Sequence, residues 1–268
     1  MPKITVLDSA SMDLAFNRYK SVCHGTPSHI VKTLKLLTAF NNLALKRFDR
    51  TKNSLPPSNI DLWKKLSNRK PYKKSYAGTS GVNIKAAFRA FLEIEQGNRC
   101  CYCQRWLINI GHAKPIEHIL PRETFSQYTF NFWNLAVACF DCNLEKGAKI
   151  WANPSKNGMR HYPAPSSFSE MYHPRFHKFD EHVRFLRIQT NEQSISVYTG
   201  ITEQGKKLCT DLLRHISSKE ILINGNHHLK FSLDVISSYE VDPQSSLAEA
   251  LDAFNVAFSD IAMKLINK

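Results

Sequence analysis

The sequence predicts a mainly α-helical protein of the α+β class, in which helical N- and C-terminal regions surround a central cysteine-rich finger. Three observations predict it: apolar residues recur at helical spacing towards both ends, two C-x-x-C pairs lie near the middle, and two short strand-like segments flank a polar turn. We therefore divide the chain into a helical, basic region 1–96, a finger 97–152, and a C-terminal α+β region 153–268.

Three helices are expected in the first region. Residues 28–50 carry apolar side chains at approximate helical spacing without an internal Gly or Pro. A short helix over 59–69 is expected to start from Asn59 as N-cap, and a third helix over 82–96 ends at Gly97. The basic, turn-rich stretch between the last two reads as a linker.

The C-terminal region is expected to begin with a β-hairpin formed by residues 184–189 and 194–200. A helix over 202–217 follows. A long amphipathic helix ends the chain, with apolar residues alternately four and three positions apart at Leu247, Leu251, Phe254, Phe258, Ile261 and Leu265. This seam either closes the protein's own core or docks a partner.

Composition narrows the class of partner. The 36 Lys and Arg against 23 Asp and Glu give a formal charge of +13, which favours a polyanionic partner, and nucleic acid over a membrane surface. The first residues lack the basic start and apolar run of a secretory signal, and no segment approaches a membrane span. We expect a cytoplasmic protein that does not interact with membranes.

The cysteines form two matched pairs, Cys100 with Cys103 and Cys139 with Cys142. Two such pairs predict a tetrahedral four-thiolate structural zinc site. A redox C-x-x-C needs only one pair and leaves the second unexplained. Cys101 has no cysteine three residues away, so we expect it to pack, although a one-residue shift in ligand choice stays open.

Between and after the pairs come "IEHILPR" (116–122), "FWNLAVAC" (132–139) and "CNLEKG" (142–147). The order C-x-x-C, Glu-His, Asn-Leu, C-x-x-C-Asn-x-x-Lys-Gly resembles the HNH endonucleases in their zinc-ribbon form, a ββα-metal finger. The resemblance covers about 99–149. It implies phosphodiester hydrolysis of DNA, with 3′-hydroxyl and 5′-phosphate ends.

The resemblance also implies a role for each matched residue. His118 would be the general base that activates water, and Asn134 would brace the loop and orient that base. Glu117 and Asn143 would bind the catalytic divalent ion. Their oxygen donors, in place of the commoner Asp and His, favour Mg²⁺ or Mn²⁺ over zinc at that position.

Basic residues are the candidates for phosphate contact. Arg122 and Lys146 lie beside the motif, with a solvated surface role as the alternative for each. Ten Lys or Arg also fall between positions 46 and 74, where a solvated basic face is the alternative. Of these, the candidates are Lys64, Lys65, Arg69 and Lys70.

The segment "HPRFHKFDEH" (173–182) after the finger adds a looser resemblance to the nuclease subunits of Septu-type and retron-associated antiphage systems, with the HNH component of Zorya-type defence as a rival. It implies an ATPase partner. From another class, a zinc-ribbon module that binds nucleic acid without cutting it remains an alternative. The sequence leaves open DNA against RNA, strandedness, site preference and oligomeric state.

Overall fold

The computed structural model describes residues 5–52, 60–68, 80–108, 114–149, 158–189 and 194–226, with scattered positions between 228 and 257. The helices are α1 (Ser9–Val22), α2 (Pro27–Lys52), α3 (Leu62–Ser67), α4 (Gly81–Glu95), α5 (Phe140–Lys146), α6 (Phe179–His182), α7 (Glu203–Leu208) and α8 (Arg214–Asn224). The strands are β1 (Ile116–His118), β2 (Leu135–Val137), β3 (Val183–Gln189) and β4 (Ser194–Gly200). The predicted fold class, mainly helical with small sheets, is confirmed.

Two short antiparallel sheets form the β component. β1 pairs with β2 so that Glu117 lies opposite Ala136, and β3 pairs with β4 as the predicted hairpin. α5 follows β2 after two residues, which gives the order β–β–α. The finger therefore has the ββα arrangement expected of it.

The three predicted N-terminal helices are present as α2, α3 and α4, but they begin at other residues than predicted. α3 is capped by Asp61, whose carboxylate accepts a hydrogen bond from the Lys64 backbone N–H at 3.0 Å, so the choice of Asn59 as cap was wrong. Asn59 itself lies outside the described residues. α1 was not predicted at all, although Asp8 caps it in the same way through Ser11.

Aromatic residues anchor helix α1 to α4 and to the finger, and Phe16 contributes with its ring 5.4 Å from that of Phe132. Tyr19 is buried, and its ring lies 5.1 Å from that of Phe88, 5.7 Å from Phe91 and 4.8 Å from Phe132. α4 and the chain before β2 thus share one core with α1. This packing places the N-terminal helices directly against the finger.

Helices α3 and α4 meet through a glycine. A Cβ on Gly81 would lie 1.6 Å from the backbone oxygen of Leu66, so no other residue fits there without displacing α3. Leu66 is itself buried with Leu36, Phe40 and Ile84. The contact fixes α3 in position above β1.

The C-terminal region contains the predicted helix in a modified form. α7 and α8 are joined by a π-helical turn, Cys209–Leu213, and the helix runs on to Asn224 rather than ending near 217. Of the predicted seam over 247–265, the structure describes the side chains of Leu247 and Phe254, and both are exposed. The remaining seam residues lie outside the described residues.

No helix in the described parts of the chain is both long and apolar enough to cross a membrane.

Candidate active site

Four cysteines converge in the finger as the sequence predicts. The sulfur atoms of Cys100, Cys103, Cys139 and Cys142 all lie within 4.8 Å of one another, and all four side chains are buried. The Sγ atoms of Cys103 and Cys139 are 3.7 Å apart. A tetrahedral zinc site with Zn–S bonds of about 2.3 Å has sulfurs about 3.8 Å apart, so the donor set fits zinc in both type and spacing.

The thiols are in an environment that a cation would stabilise. Although burial opposes it, hydrogen bonds from Cys101, Cys103 and the other two cluster thiols hold the pKa of Cys100 well below its usual value. The pKa of Cys142 is raised instead, by burial and by its neighbours. Four thiolates cannot share one buried space without a positive charge, which a zinc ion supplies.

Cys101 packs into the core, as expected, and is not one of the clustered ligands. Its backbone N–H donates to the carbonyl of Val137 at 3.1 Å, which joins the first cysteine turn to β2. Gln96 strengthens the same joint, because its amide accepts from the N–H of Val137 at 2.7 Å and donates to that residue's carbonyl at 2.8 Å. No sequence motif pointed to Gln96.

His118 is the last residue of β1, and its ring is held in one orientation. Its Nε2 lies 3.1 Å from the backbone oxygen of Thr129, and its ring meets the Trp63 ring edge-on at 4.8 Å. A carbonyl only accepts hydrogen bonds, so Nε2 must carry the hydrogen and Nδ1 must have a free lone pair. The His118 side chain can therefore accept a proton at Nδ1.

The charges around His118 are cationic. Burial, together with Arg122, Lys146 and Lys85, lowers its pKa to about 3, although the hydrogen bond to Thr129 opposes the shift. Lys85, on α4, was not predicted as a site residue. Its Nζ lies 4.5 Å from the centre of the Trp63 ring, so Lys85 and His118 both contact that ring. Such a setting favours an anionic substrate.

Asn134 braces the loop between the two strands. Its Oδ1 accepts from the N–H of Leu120 at 2.7 Å, and its Nδ2 donates to the carbonyls of Leu120 and Tyr128. Its side chain is fully buried. These bonds go to the loop rather than to the His118 ring, and the same loop carries Thr129, whose carbonyl contacts that ring.

Glu117 points away from His118, as alternation along a strand requires. The Glu117 carboxylate forms an ion pair of 2.5 Å with the Nζ of Lys146, which also donates to the His118 backbone oxygen at 3.1 Å. Lys146, expected at a phosphate, is instead almost completely buried. Asn143 lies one turn before Lys146 on α5, so these residues share a helix face.

This arrangement bears on the predicted catalytic ion. The carboxylate of Glu117 and the amide of Asn143 are oxygen donors of the class that Mg²⁺ and Mn²⁺ prefer. The Lys146 ammonium, however, already neutralises the carboxylate in this arrangement. A divalent ion bound to Glu117 must share the carboxylate with Lys146 or displace it.

Arg122 lies at the edge of a groove of about 210 Å³ that is also lined by Arg47, Asp61 and Thr129. Its guanidinium donates to both carboxylate oxygens of Asp61 at 2.9 Å, which ties α3 to the loop after β1. Lys64 and Lys65 are exposed on α3. The predicted phosphate contacts Arg69 and Lys70 lie outside the described residues.

Comparison with known proteins finds a relative that is similar to part of this chain. The chain is 36% identical over 58 residues to Septu protein PtuB of Bacillus thuringiensis. The match covers 22% of this chain and 22% of that protein, so only about a fifth of the relative's length is spanned. No protein-family model matches the chain, and no solved structure matches it significantly.

Proposed function

We propose that this protein is an HNH-type endonuclease that hydrolyses DNA phosphodiester bonds. The observation that carries the proposal is the state of His118: it ends β1 of a ββα finger, its Nε2 is engaged by the Thr129 carbonyl, and the charged groups acting on it are cationic. The lowered pKa keeps the imidazole neutral, so Nδ1 is available to take a proton from water, and the cationic groups suit the negative charge that grows on the phosphodiester.

In the proposed reaction, Nδ1 of His118 takes a proton from water as the oxygen of that water attacks phosphorus. The P–O3′ bond breaks, and the leaving oxygen takes a proton from solvent, which gives 3′-hydroxyl and 5′-phosphate ends. Arg122 and Lys85 face the negative charge that grows on the phosphate. A Mg²⁺ or Mn²⁺ ion held by Glu117 and Asn143 would add further charge neutralisation when bound.

The groove beside His118 supports a path for the DNA backbone. Arg47 and Arg122 line it, and it reaches Thr129, whose carbonyl contacts the imidazole. Lys64 and Lys65 extend the positive surface along α3. Phosphate contacts of this kind are independent of base sequence and weaken with salt.

A role in antiphage defence is part of the proposal, supported by the partial likeness to a Septu protein. As the family resemblance implies, an ATPase subunit would be the partner. Plating efficiency of phage on cells that express a candidate ATPase with either the wild-type chain or His118→Ala tests this role. Equal protection by both chains would contradict a nuclease-dependent defence.

One observation favours a second candidate function, a zinc-stapled module that binds nucleic acid without cutting it. The side chain of His118 is only 9% exposed, because Trp63 covers it. If α3 stays in place when DNA binds, water and phosphate have little access to Nδ1. Binding without cleavage would then be the result.

Supercoiled plasmid distinguishes the two functions. Wild-type protein, His118→Ala and the exposed control His161→Ala are incubated with EDTA, Mg²⁺ or Mn²⁺, and zinc per chain is measured by elemental analysis. We expect metal-dependent nicking by the wild type and by His161→Ala, and loss of nicking in His118→Ala with zinc content unchanged. Equal nicking by both variants would disprove the role of His118, and salt-sensitive DNA binding without nicking would favour the second function.

A further inference from the structure

A second cavity lies away from His118. It has a volume of about 470 Å³ and is enclosed by α1, the end of α4, the first cysteine turn and the segment 172–179. Its walls include Trp133 and Tyr172, and none of the residues that surround the imidazole lines it. The volume falls within the range of about 300–1,000 Å³ that is usual for small-molecule sites.

Arg175 gives this cavity an unusual charge. Its Nη1 donates to the carbonyl of Leu135 at 2.9 Å, and its guanidinium carbon lies 4.4 Å from the Phe132 ring centre and 5.0 Å from that of Trp133. Within the described parts of the chain, no carboxylate lies within ion-pair distance of Arg175. Burial lowers the pKa of Arg175 to about 10, although the Glu95 carboxylate in the same cavity acts in the opposite direction.

Two further arginines line the same cavity. Arg18 forms an ion pair with Glu95, which is the one acidic residue among the described lining residues. Arg99 donates to the backbone oxygen of Gln104 at 3.2 Å and stacks on Trp106 at 4.0 Å, again without a carboxylate partner within the described residues. With three arginines and one glutamate among its described lining residues, the cavity keeps an excess of positive charge.

We propose that this cavity binds a small organic phosphate of nucleotide size, with Arg99 and Arg175 on the phosphate and Trp133 and Tyr172 against the organic part. A phosphate monoester carries a charge of about −1.5 to −2 at neutral pH, which matches two unpaired arginines better than a single carboxylate does. Guanidinium groups also bind phosphate oxygens through paired N–H donors. The proposal is independent of the nuclease assignment.

Calorimetric titration of the full chain tests the site with four probes: AMP, adenosine, inorganic phosphate and succinate. We expect saturable 1:1 binding of AMP, no saturable binding of adenosine or succinate, and binding of phosphate at least tenfold weaker than that of AMP. Arg99→Ala should weaken AMP binding at least tenfold. The control Arg184→Ala, at an exposed position of β3, should leave it unchanged.

A second variant guards against a folding defect, because Arg175 also holds the chain before β2. Arg175→Lys keeps the charge but loses the paired donors, so we expect it to keep full zinc content and to bind AMP more weakly. His118→Ala should bind AMP as the wild type does. The proposal is overturned if AMP gives no saturable heat or if adenosine or succinate binds as tightly as AMP does. It is also overturned if folded Arg99→Ala and Arg175→Lys retain full affinity for AMP, or if His118→Ala loses AMP binding. Phosphate binding as tight as that of AMP would contradict the proposed contact of Trp133 and Tyr172 with the organic part of the ligand.

Discussion

The cysteine cluster takes its four sulfurs from two short turns, whereas His118 is surrounded by groups from three separate parts of the chain. Trp63 comes from α3, Lys85 from α4, and the carbonyl that holds the ring comes from the loop at Thr129. The two sites nevertheless share one small finger. The cysteine cluster therefore forms from local segments, while the histidine site depends on how helices from distant parts of the chain pack.

The strongest test of this comparison removes a cluster ligand. Cys142→Ser should abolish zinc binding and unfold the finger, and with it the histidine site, because structural zinc supplies about 10–16 kcal/mol of folding free energy in small zinc domains. Cys209→Ser is the matched control, since Cys209 is half-buried outside the cluster. Circular dichroism on heating and zinc per chain measure the outcome. Full zinc content in Cys142→Ser would refute the four-thiolate site.

The next largest effect is expected at the ion pair between β1 and α5. Lys146→Met leaves the Glu117 carboxylate buried without its cation, so we expect a loss of about 3–5 kcal/mol in the free energy of unfolding. Lys149→Met, which breaks a partly exposed pair between Lys149, just after the end of α5, and Glu145, should cost less than about 0.5 kcal/mol. Urea denaturation measures both. Similar losses in the free energy of unfolding for the two variants would show that the buried pair contributes no more to stability than the pair at Lys149 does.

Displacing α3 should separate the two sites. Gly81→Ala forces a Cβ against the backbone of Leu66, which we expect to cost about 1–3 kcal/mol and to shift Trp63 away from His118. Zinc per chain should stay at the wild-type value. Gly158→Ala, where a Cβ meets no atom within 4 Å, is the control. For Gly81→Ala we expect an unchanged zinc content and a changed cleavage rate. Loss of zinc would mean that the cysteine cluster also depends on α3.

The smallest effect on stability is expected at the surface ion pair that joins α3 to the loop after β1. Asp61→Asn weakens the bidentate pair with Arg122 while keeping a side chain that can cap α3. Because both groups are partly exposed, we expect a stability loss below about 1 kcal/mol. Freed from its partner, Arg122 should bind DNA more tightly at low salt, as fluorescence anisotropy would measure. Unchanged anisotropy would place Arg122 outside the DNA interface.

Prediction from sequence succeeded where spacing alone carries the information. Cys100, Cys103, Cys139 and Cys142 were identified from two C-x-x-C pairs, because ligand geometry fixes the separation within each pair. α2 and the β3–β4 hairpin were identified from the periods of their apolar residues. These signals are local, so they survive without knowledge of the tertiary structure.

The failures have a common physical origin. α1 was missed because its apolar residues do not form one buried face: Leu14 and Val22 are exposed, and Tyr19 joins the apolar core only when α4 and the finger surround it. Lys146 was predicted either to contact substrate phosphate or to be a solvated surface residue, yet it is buried against the carboxylate of Glu117. Lys85 and Gln96 carried no motif, since their partners lie far away along the chain.

The sequence by itself determined the helical class, the excess of positive charge and the four-cysteine cluster, because composition and short-range spacing record all of these; the His118 candidate came from the resemblance of the motif order to HNH endonucleases. Only the tertiary structure decided that Trp63 covers His118, that Lys146 neutralises Glu117, and that Arg99 and Arg175 line one cavity. Each of these depends on which residues from remote segments pack together. Such packing follows from the summed burial of many side chains, and no local pattern encodes it.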